Sequence, residues 1–236
     1  MAITFLTSTG FRRSAASTLW ANALSTRDGS AGLVVGVGVG GSSTTVVKAV
    51  RTSPGNVAFT FAARANSPRP LAGAELWYLT TYDTAAIATT GVEVLFGPAS
   101  TGTMIIGQFV GISTANALGS VSAAGIEAVS SVHDVPEVVS SGAAIAFYRF
   151  QQTTGGALST VSASSQTIFQ STVLATPLAC ALYHISADNA TNTGRANTTA
   201  AVMHAGAMAL FFDTVAGEPG AFYYGGTGFS LMGLQR

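Results

Sequence analysis

The sequence predicts an all-β fold, a jelly-roll-like antiparallel β-sandwich with an N-terminal arm, and three observations support this class. Apolar residues recur in about a dozen short bursts rich in Val, Ile, Phe and Tyr, which are favoured in strands. Helical periodicity is weak along the chain, so short strands joined by turns indicate a sandwich. Turn signals separate the bursts, namely Asp28-Gly29-Ser30, Ser53-Pro54-Gly55-Asn56, Gly97-Pro98, Gly155-Gly156 and Glu218-Pro219-Gly220.

The predicted strands follow one another with short connections. In chain order they are AITFLTST, GLVVGVGV, TTVVKAVRT, NVAFTFAAR, AELWYLTTY, GVEVLFG, TMIIGQFVGIS, AAIAFYRF, QTIFQSTVL, LACALYHIS, AVMHAGAMALFFDTV and AFYYGGTGFSLMGL.

Three segments do not fit the strand pattern. Residues 14–25 are the best helix candidate, because Leu19 and Ala23 share one helical stripe, and an irregular arm is the alternative. Residues 116–142 are rich in small residues and contain Pro136, which predicts a long connection. Residues 188–199 are rich in Asn and Thr, which predicts a surface loop at one rim of the sandwich.

The chain length of 236 residues fits one sandwich domain, which we assign to residues 31–236, preceded by an arm over residues 1–30. The arm combines apolar residues with two cations and is the predicted attachment segment, through Phe5, Phe11, Arg12 and Arg13. The arginines follow the apolar residues, which is the reverse of a signal peptide, so we expect synthesis in a host cytoplasm without export. Apolar runs stay below the roughly 18 residues of a membrane span, which predicts no membrane insertion.

Charged residues make up only 8% of the chain, against about 25% in typical soluble domains. Ten basic and ten acidic residues cancel, so no basic surface for nucleic acid is expected. A surface with few charges and no net charge favours self-association into a homo-oligomer. The alternative is a domain on a crowded surface whose exterior is Ser, Thr, Asn and Gly.

Cys180 is the single cysteine, and its apolar surroundings in the sequence predict a buried thiol.

The stretch from Gly36 to Gly41 reads GVGVGG and fits the G-x-G-x-x-G pattern of a dinucleotide-binding loop. Such a loop requires a helix after it, whereas strand-forming residues follow here. The acidic residue that should hold the ribose is also missing, since the next one is Glu75. We therefore expect no cofactor, and a strand in which valines face one side while glycines on the other allow a close approach.

Catalytic and metal sites are not supported by any spacing. His133, His184 and His204 lack the tight pairing of zinc ligands. His133 and Asp134 could belong to a serine triad, but no G-x-S-x-G elbow accompanies them. We therefore predict that the protein is not an enzyme and has no catalytic, metal or cofactor residues.

Glu75 and the neighbouring aromatic residues leave other functions open. Glu75 is expected either to face outward or to pair with Arg64 or Arg69. Aromatic residues in the same region predict either core packing or stacking on a sugar ligand. The stacking candidates are Trp77, Tyr78 and Tyr82.

The strands GLVVGVGVGG, TTVVKAV, NVAFTFAARA, AELWYL, GVEVLFG and TMIIGQFVGIS, within residues 31–115, resemble the jelly-roll modules of bacteriophage virion proteins and of some bacterial surface proteins. The sequence departs from that pattern after Tyr78, where TTYDTAAIATT replaces a short turn. The resemblance implies a structural protein of a virus particle, such as a capsid decoration, fibre or tail component. Its expected location is the virion and its expected partners are copies of itself and other virion proteins.

Two other functions remain open at this stage. One is a glycan-binding adhesion or receptor-binding module that recognises a host surface glycan. The other is a β-sandwich hydrolase, in which His133 or His184 would meet a carboxylate and a serine.

Overall fold

The computed structural model describes residues 3–25, 30–40, 47–66, 72–83, 89–136, 142–151, 161–163, 167–172, 178–186 and 193–212. Within these ranges the chain forms twelve β-strands and no helix. The strands are β1 (Thr4–Ser25), β2 (Ser30–Gly40), β3 (Val47–Ser53), β4 (Thr60–Asn66), β5 (Ala72–Asp83), β6 (Thr89–Val110), β7 (Leu118–Pro136), β8 (Gly142–Gln151), β9 (Val161–Ala163), β10 (Thr167–Thr172), β11 (Leu178–Ser186) and β12 (Thr193–Phe211).

Two six-stranded sheets make up the fold. The first has the order β1-β6-β2-β5-β4, with β3 also paired to β6, and the second has the order β10-β11-β8-β12-β7, with β9 also paired to β12. Every strand pair is antiparallel. The predicted all-β antiparallel sandwich is therefore confirmed, while its jelly-roll connectivity stays a prediction.

The first sheet folds back over itself because β1 and β6 are both 22 residues long and bend together. Residues 4–13 of β1 pair with residues 102–110 of β6, and residues 17–25 pair with residues 89–100 across two register shifts. We call β3, residues 89–96 of β6 and residues 17–25 of β1 the outer layer. The middle layer consists of the remaining parts of β1 and β6 with β2, β5 and β4.

Trp20 fixes the bend between these layers. Its indole is fully buried, lies 4.3 Å from the Phe96 ring and donates a hydrogen bond of 3.1 Å to the Ser100 carbonyl. Only glycine fits beneath it at position 102, where a Cβ would come within 2.7 Å of the Trp20 ring and would strike the Gly38 carbonyl.

Two apolar clusters hold the three layers together. Cluster one lies between the middle layer and the second sheet and includes Val34, Ile105, Phe147 and Phe211. Cluster two lies between the middle and outer layers. Both halves of β6 contribute to cluster two, which is why the sheet must close over its own face. The members of cluster two are Trp20, Leu24, Leu33, Val35, Val37, Val39, Val47, Val50, Phe59, Val92, Val94, Phe96, Met104 and Ile106.

Residues 36–40 of the glycine-rich stretch GVGVGG lie in strand β2, which confirms the prediction of a strand for this part. Val35 and Val37 face cluster two, whereas Val34 faces cluster one. Gly36 also faces cluster one, where the Phe147 ring of β8 occupies the space that a Cβ would need. Glycine at this position therefore sets how closely the second sheet approaches the first.

The helix predicted for residues 14–25 is wrong, because this segment lies in β1. Its burial alternates as a strand requires, with Trp20 and Leu24 buried and Ala21 and Ala23 exposed. Residues 4–25, which the sequence assigns to an arm, pair with β6 along their length and so form part of the first sheet.

Three further boundaries differ from the prediction. The expected connection at 116–142 contains strand β7, because pairing with β12 outweighs the weak strand propensity of residues such as Ala123 and Ala124. Gly97-Pro98 lies within β6 and does not end it, so two predicted strands are one. The expected surface loop at 188–199 contains the start of β12 at Thr193.

The turn at Ser53-Pro54-Gly55-Asn56 is confirmed between β3 and β4. Gly55 and Asn56 both have positive φ, and these residue types adopt that conformation most readily. The predicted strand AFYYGGTGFSLMGL lies outside the described residues.

Candidate functional site

A buried ion pair links strands β4 and β5 at one edge of the first sheet. Arg64 is directly opposite Glu75 in the antiparallel register. The Arg64 Nε and Nη2 groups donate to the same oxygen, Glu75 Oε1, at 2.9 and 2.6 Å. Glu75 is only 3% exposed, while the Arg64 side chain is 32% exposed. The expected pairing with Arg64 is therefore confirmed, and the alternative of an outward-facing Glu75 is wrong.

Two further donors complete the shell around the Glu75 carboxylate. Trp77 Nε1 donates to Oε2 at 2.9 Å, and the Val47 backbone N–H also hydrogen-bonds the carboxylate. Burial raises the pKa of Glu75, and the Arg64 charge and these donors oppose that rise. The carboxylate is thus held in one orientation, and it fixes both Arg64 and Trp77.

An aromatic pair lies directly beside this ion pair on the same face of the sheet. Phe61 is opposite Trp77 in the register, and their ring centroids are 5.2 Å apart in an edge-to-face arrangement. The Arg64 guanidinium lies over the Phe61 ring at 5.8 Å from its centroid. Phe61 remains 43% exposed, so the cluster presents an aromatic ring and a guanidinium at the surface. We call Phe61, Arg64, Glu75 and Trp77 the edge cluster.

The three predicted stacking residues do not form one platform. Trp77 is half-buried against cluster two, whereas Tyr78 is half-buried against cluster one, with its ring 5.4 Å from that of Phe211. They face opposite sides of β5 because side chains alternate along a strand. Tyr82 lies in β5, and its side chain is outside the described part of the structure.

The predicted attachment residues lie in β1. Phe5 packs on cluster one with its ring 5.5 Å from that of Phe109, and Phe11 packs on cluster two. A register shift between Phe5 and Thr7 places the two rings on opposite faces. For Arg12 and Arg13 the structure describes the backbone in β1 and not the side chains. The attachment role of this segment stays a prediction.

A second polar cluster joins β7, β8 and β12. Asp134 accepts two hydrogen bonds from Arg195, both 2.6 Å long, at the surface. The buried His204 bonds the Asp134 backbone, and its ring centroid lies 6.1 Å from that of Tyr148. Burial lowers the pKa of His204 to about 4, although Asp134 favours its charged form. His204 is therefore neutral at pH 7.

The other histidines belong to strands β7 and β11. His133 is paired with Ala196 and His184 with Ala144, and their side chains lie outside the described residues. In the part of the chain that is described, no three His, Cys, Asp or Glu side chains gather around one point. The same part contains no helix that is long and apolar enough to cross a membrane.

Sequence reasoning missed Phe61, because its position on the sheet depends on a bulge in β4. The segment TFAARA alternates poorly because a register shift between Phe61 and Ala63 brings Phe61 and Arg64 onto one face. Without the pairing partner on β5, a strand with a bulge cannot be distinguished from a regular one. Compared with protein families, with curated proteins and with solved structures, the chain shows no match.

Proposed function

We propose that the protein is a structural protein of a virus particle, without enzymatic activity, that acts by self-association or by docking on a capsid or tail partner. The observation that carries this proposal is the exposed face of the outer layer. The resemblance of the strand succession to bacteriophage virion modules supports it.

An apolar row crosses the three strands of the outer layer. The register places Leu95 of β6 between Leu19 of β1 and Ala49 of β3. Val94 and Trp20 face inward to cluster two, so the neighbouring Leu95 and Leu19 face outward. Leu19 is 42% exposed. A large aliphatic residue on the outside of a sheet favours burial against another surface.

The next row of the same face contains a compensated pair of charges. Ala21, Glu93 and Arg51 form the second row, and Arg51 and Glu93 bond each other at 2.8 Å. Because these two charges compensate each other, a partner can cover this row without burying an unpaired ion. Lys48 of β3, next to Ala49, is exposed as well, and its long side chain can keep the ammonium group in solvent.

The mechanism that follows is assembly by contact of flat surfaces. A stable interface buries about 800 Å² on each partner, and apolar area contributes roughly 25 cal/mol per Å² before the costs of association. A chain with 8% charged residues has little electrostatic repulsion to overcome when copies approach. Such contacts depend weakly on salt, since they are not made by ion pairs.

Electron microscopy with antibody labelling tests the location. Virus particles purified from cells that produce this chain are labelled with a gold-conjugated antibody raised against the whole protein. We expect label at regular positions on the particles. A chain found only in the cell fraction, with unlabelled particles, would refute the proposal.

A further inference from the structure

We propose a second activity that goes beyond the assembly role: Phe61 and Arg64 form a binding platform for a neutral pyranose sugar, and Trp77 and Glu75 hold the platform in position. The juxtaposition that carries this inference is an exposed aromatic ring beside a guanidinium fixed by a buried carboxylate. It concerns the edge cluster on the middle layer and none of the residues of the apolar row.

Phe61 is the aromatic member among the large apolar side chains that remain exposed in the described part of the chain. The Phe61 ring contacts Trp77 and has the Arg64 guanidinium over it, yet 43% of the residue stays exposed, so part of the ring surface is available for a ligand. The ring is nevertheless held firmly. Trp77 contacts it edge to face, and the hydrogen bond from Trp77 Nε1 to Glu75 prevents the indole from rotating.

Arg64 supplies hydrogen-bond donors beside the ring. Its Nε and Nη2 groups are both directed to Glu75 Oε1. Within the described residues no group accepts from Nη1, which carries two N–H groups. These donors belong to a side chain that is one-third exposed and cannot swing away without breaking the ion pair. The apolar ring and the donors are therefore already fixed before a ligand arrives, so binding costs little side-chain entropy.

A pyranose matches this combination. One face of the sugar ring consists of C–H groups that pack on an aromatic ring, and its edge carries hydroxyl oxygens that accept from N–H donors. The ion pair is close to neutral, since Glu75 compensates Arg64, so an anionic ligand gains little from the site. A neutral sugar is therefore favoured over a phosphate or an acidic peptide.

The test uses the full-length protein on a printed array of neutral and acidic oligosaccharides, followed by titration of the best neutral ligand. We expect neutral oligosaccharides to bind, and the Phe61→Ala variant to bind at least about tenfold more weakly. Arg64→Gln should weaken binding as well. Val57→Ala is the matched control, because Val57 is 42% exposed on the same stretch and should leave binding unchanged.

Two outcomes would overturn the proposal. One is no binding to any neutral oligosaccharide, and the other is unchanged binding by Phe61→Ala. If Phe61→Ala also lowers the oligomer mass in the second case, Phe61 is a contact between copies. Unfolding midpoints of all variants verify that each one is folded. Failure here leaves the assembly proposal standing, because the two involve separate residues and measurements.

Discussion

Single residues decide how closely the layers of this protein approach one another. In β2 the valines that face cluster two fill space, and Gly36 on the opposite face leaves space for the Phe147 ring. The G-x-G-x-x-G pattern would have indicated a dinucleotide-binding loop if a helix had followed it. The strand-like alternation of the sequence therefore distinguishes a glycine-rich strand from such a loop.

Gly36→Ala should lower the free energy of unfolding by about 1–3 kcal/mol, because the added methyl group overlaps the Phe147 ring and the core must shift. Gly97→Ala is the matched control, since its methyl group would meet only the end of Lys48 at 3.5 Å. Chemical denaturation of both variants measures the difference. Equal stability of Gly36→Ala and the wild type would contradict the packing described here.

His204 should make the protein sensitive to acid. The folded state keeps His204 neutral down to its pKa of about 4, whereas the unfolded chain takes up the proton near pH 6.5. The free energy of unfolding should therefore fall as the pH drops from 6.5 to 4, by about 3 kcal/mol at most, and level off below that. Asp134, which is paired with Arg195, and Tyr148 are the polar groups that contact or act on this histidine.

The His204→Gln variant tests this assignment by denaturation at several pH values. Its stability should decline less than that of the wild type between pH 6.5 and 4. The raised pKa of Glu75 acts in the opposite direction, stabilising the fold at low pH, but it is present in both proteins. An equal pH dependence of the variant and the wild type would show that His204 is not responsible.

At the scale of elements, alternation in the sequence predicted strands well where neighbouring residues differ in polarity. The start of β6 is an example, because Val92 and Val94 are buried while Glu93 between them is partly exposed. Prediction failed where pairing decides the structure. The small residues of β7 form a strand only because β12 lies beside them, and the segment around Trp20 is a strand because β6 accompanies it.

Only part of the edge cluster could be predicted from the sequence, because strand pairing decides which residues share a face. An acid on one strand and an arginine on the strand before it suggested the pair of Arg64 and Glu75. The exposed Phe61 was not foreseeable, since its face depends on a bulge that the sequence alone does not reveal.

Strand β1 provides a prediction about the N-terminal segment. Trp20→Ala should lower the free energy of unfolding by about 3–5 kcal/mol, since it removes a fully buried indole and its hydrogen bond to the Ser100 carbonyl. The control is Leu19→Ala, whose exposed side chain should contribute much less. Thermal unfolding followed by circular dichroism compares them. A Trp20→Ala protein as stable as the wild type would show that this segment is an independent arm.

At the scale of the whole molecule, the low charge and the exposed aliphatic residues both favour association with other chains. Exposed large apolar residues occur in two edge strands, β1 and β7, as well as in the edge cluster. Edge strands present unpaired backbone N–H and C=O groups that can pair with other chains. These features support the proposed assembly role, in which copies or partners cover much of the surface.

The mass of the protein in solution tests this central claim most directly. Light scattering should be measured across a range of concentrations, at low and at high salt. The account predicts a closed oligomer or a filament whose mass is a multiple of 23.8 kDa and changes little with salt. The Leu19→Arg variant, which places a charge on the apolar row, should shift the mass toward the monomer. A wild-type protein that stays at 23.8 kDa at every concentration would contradict the claim.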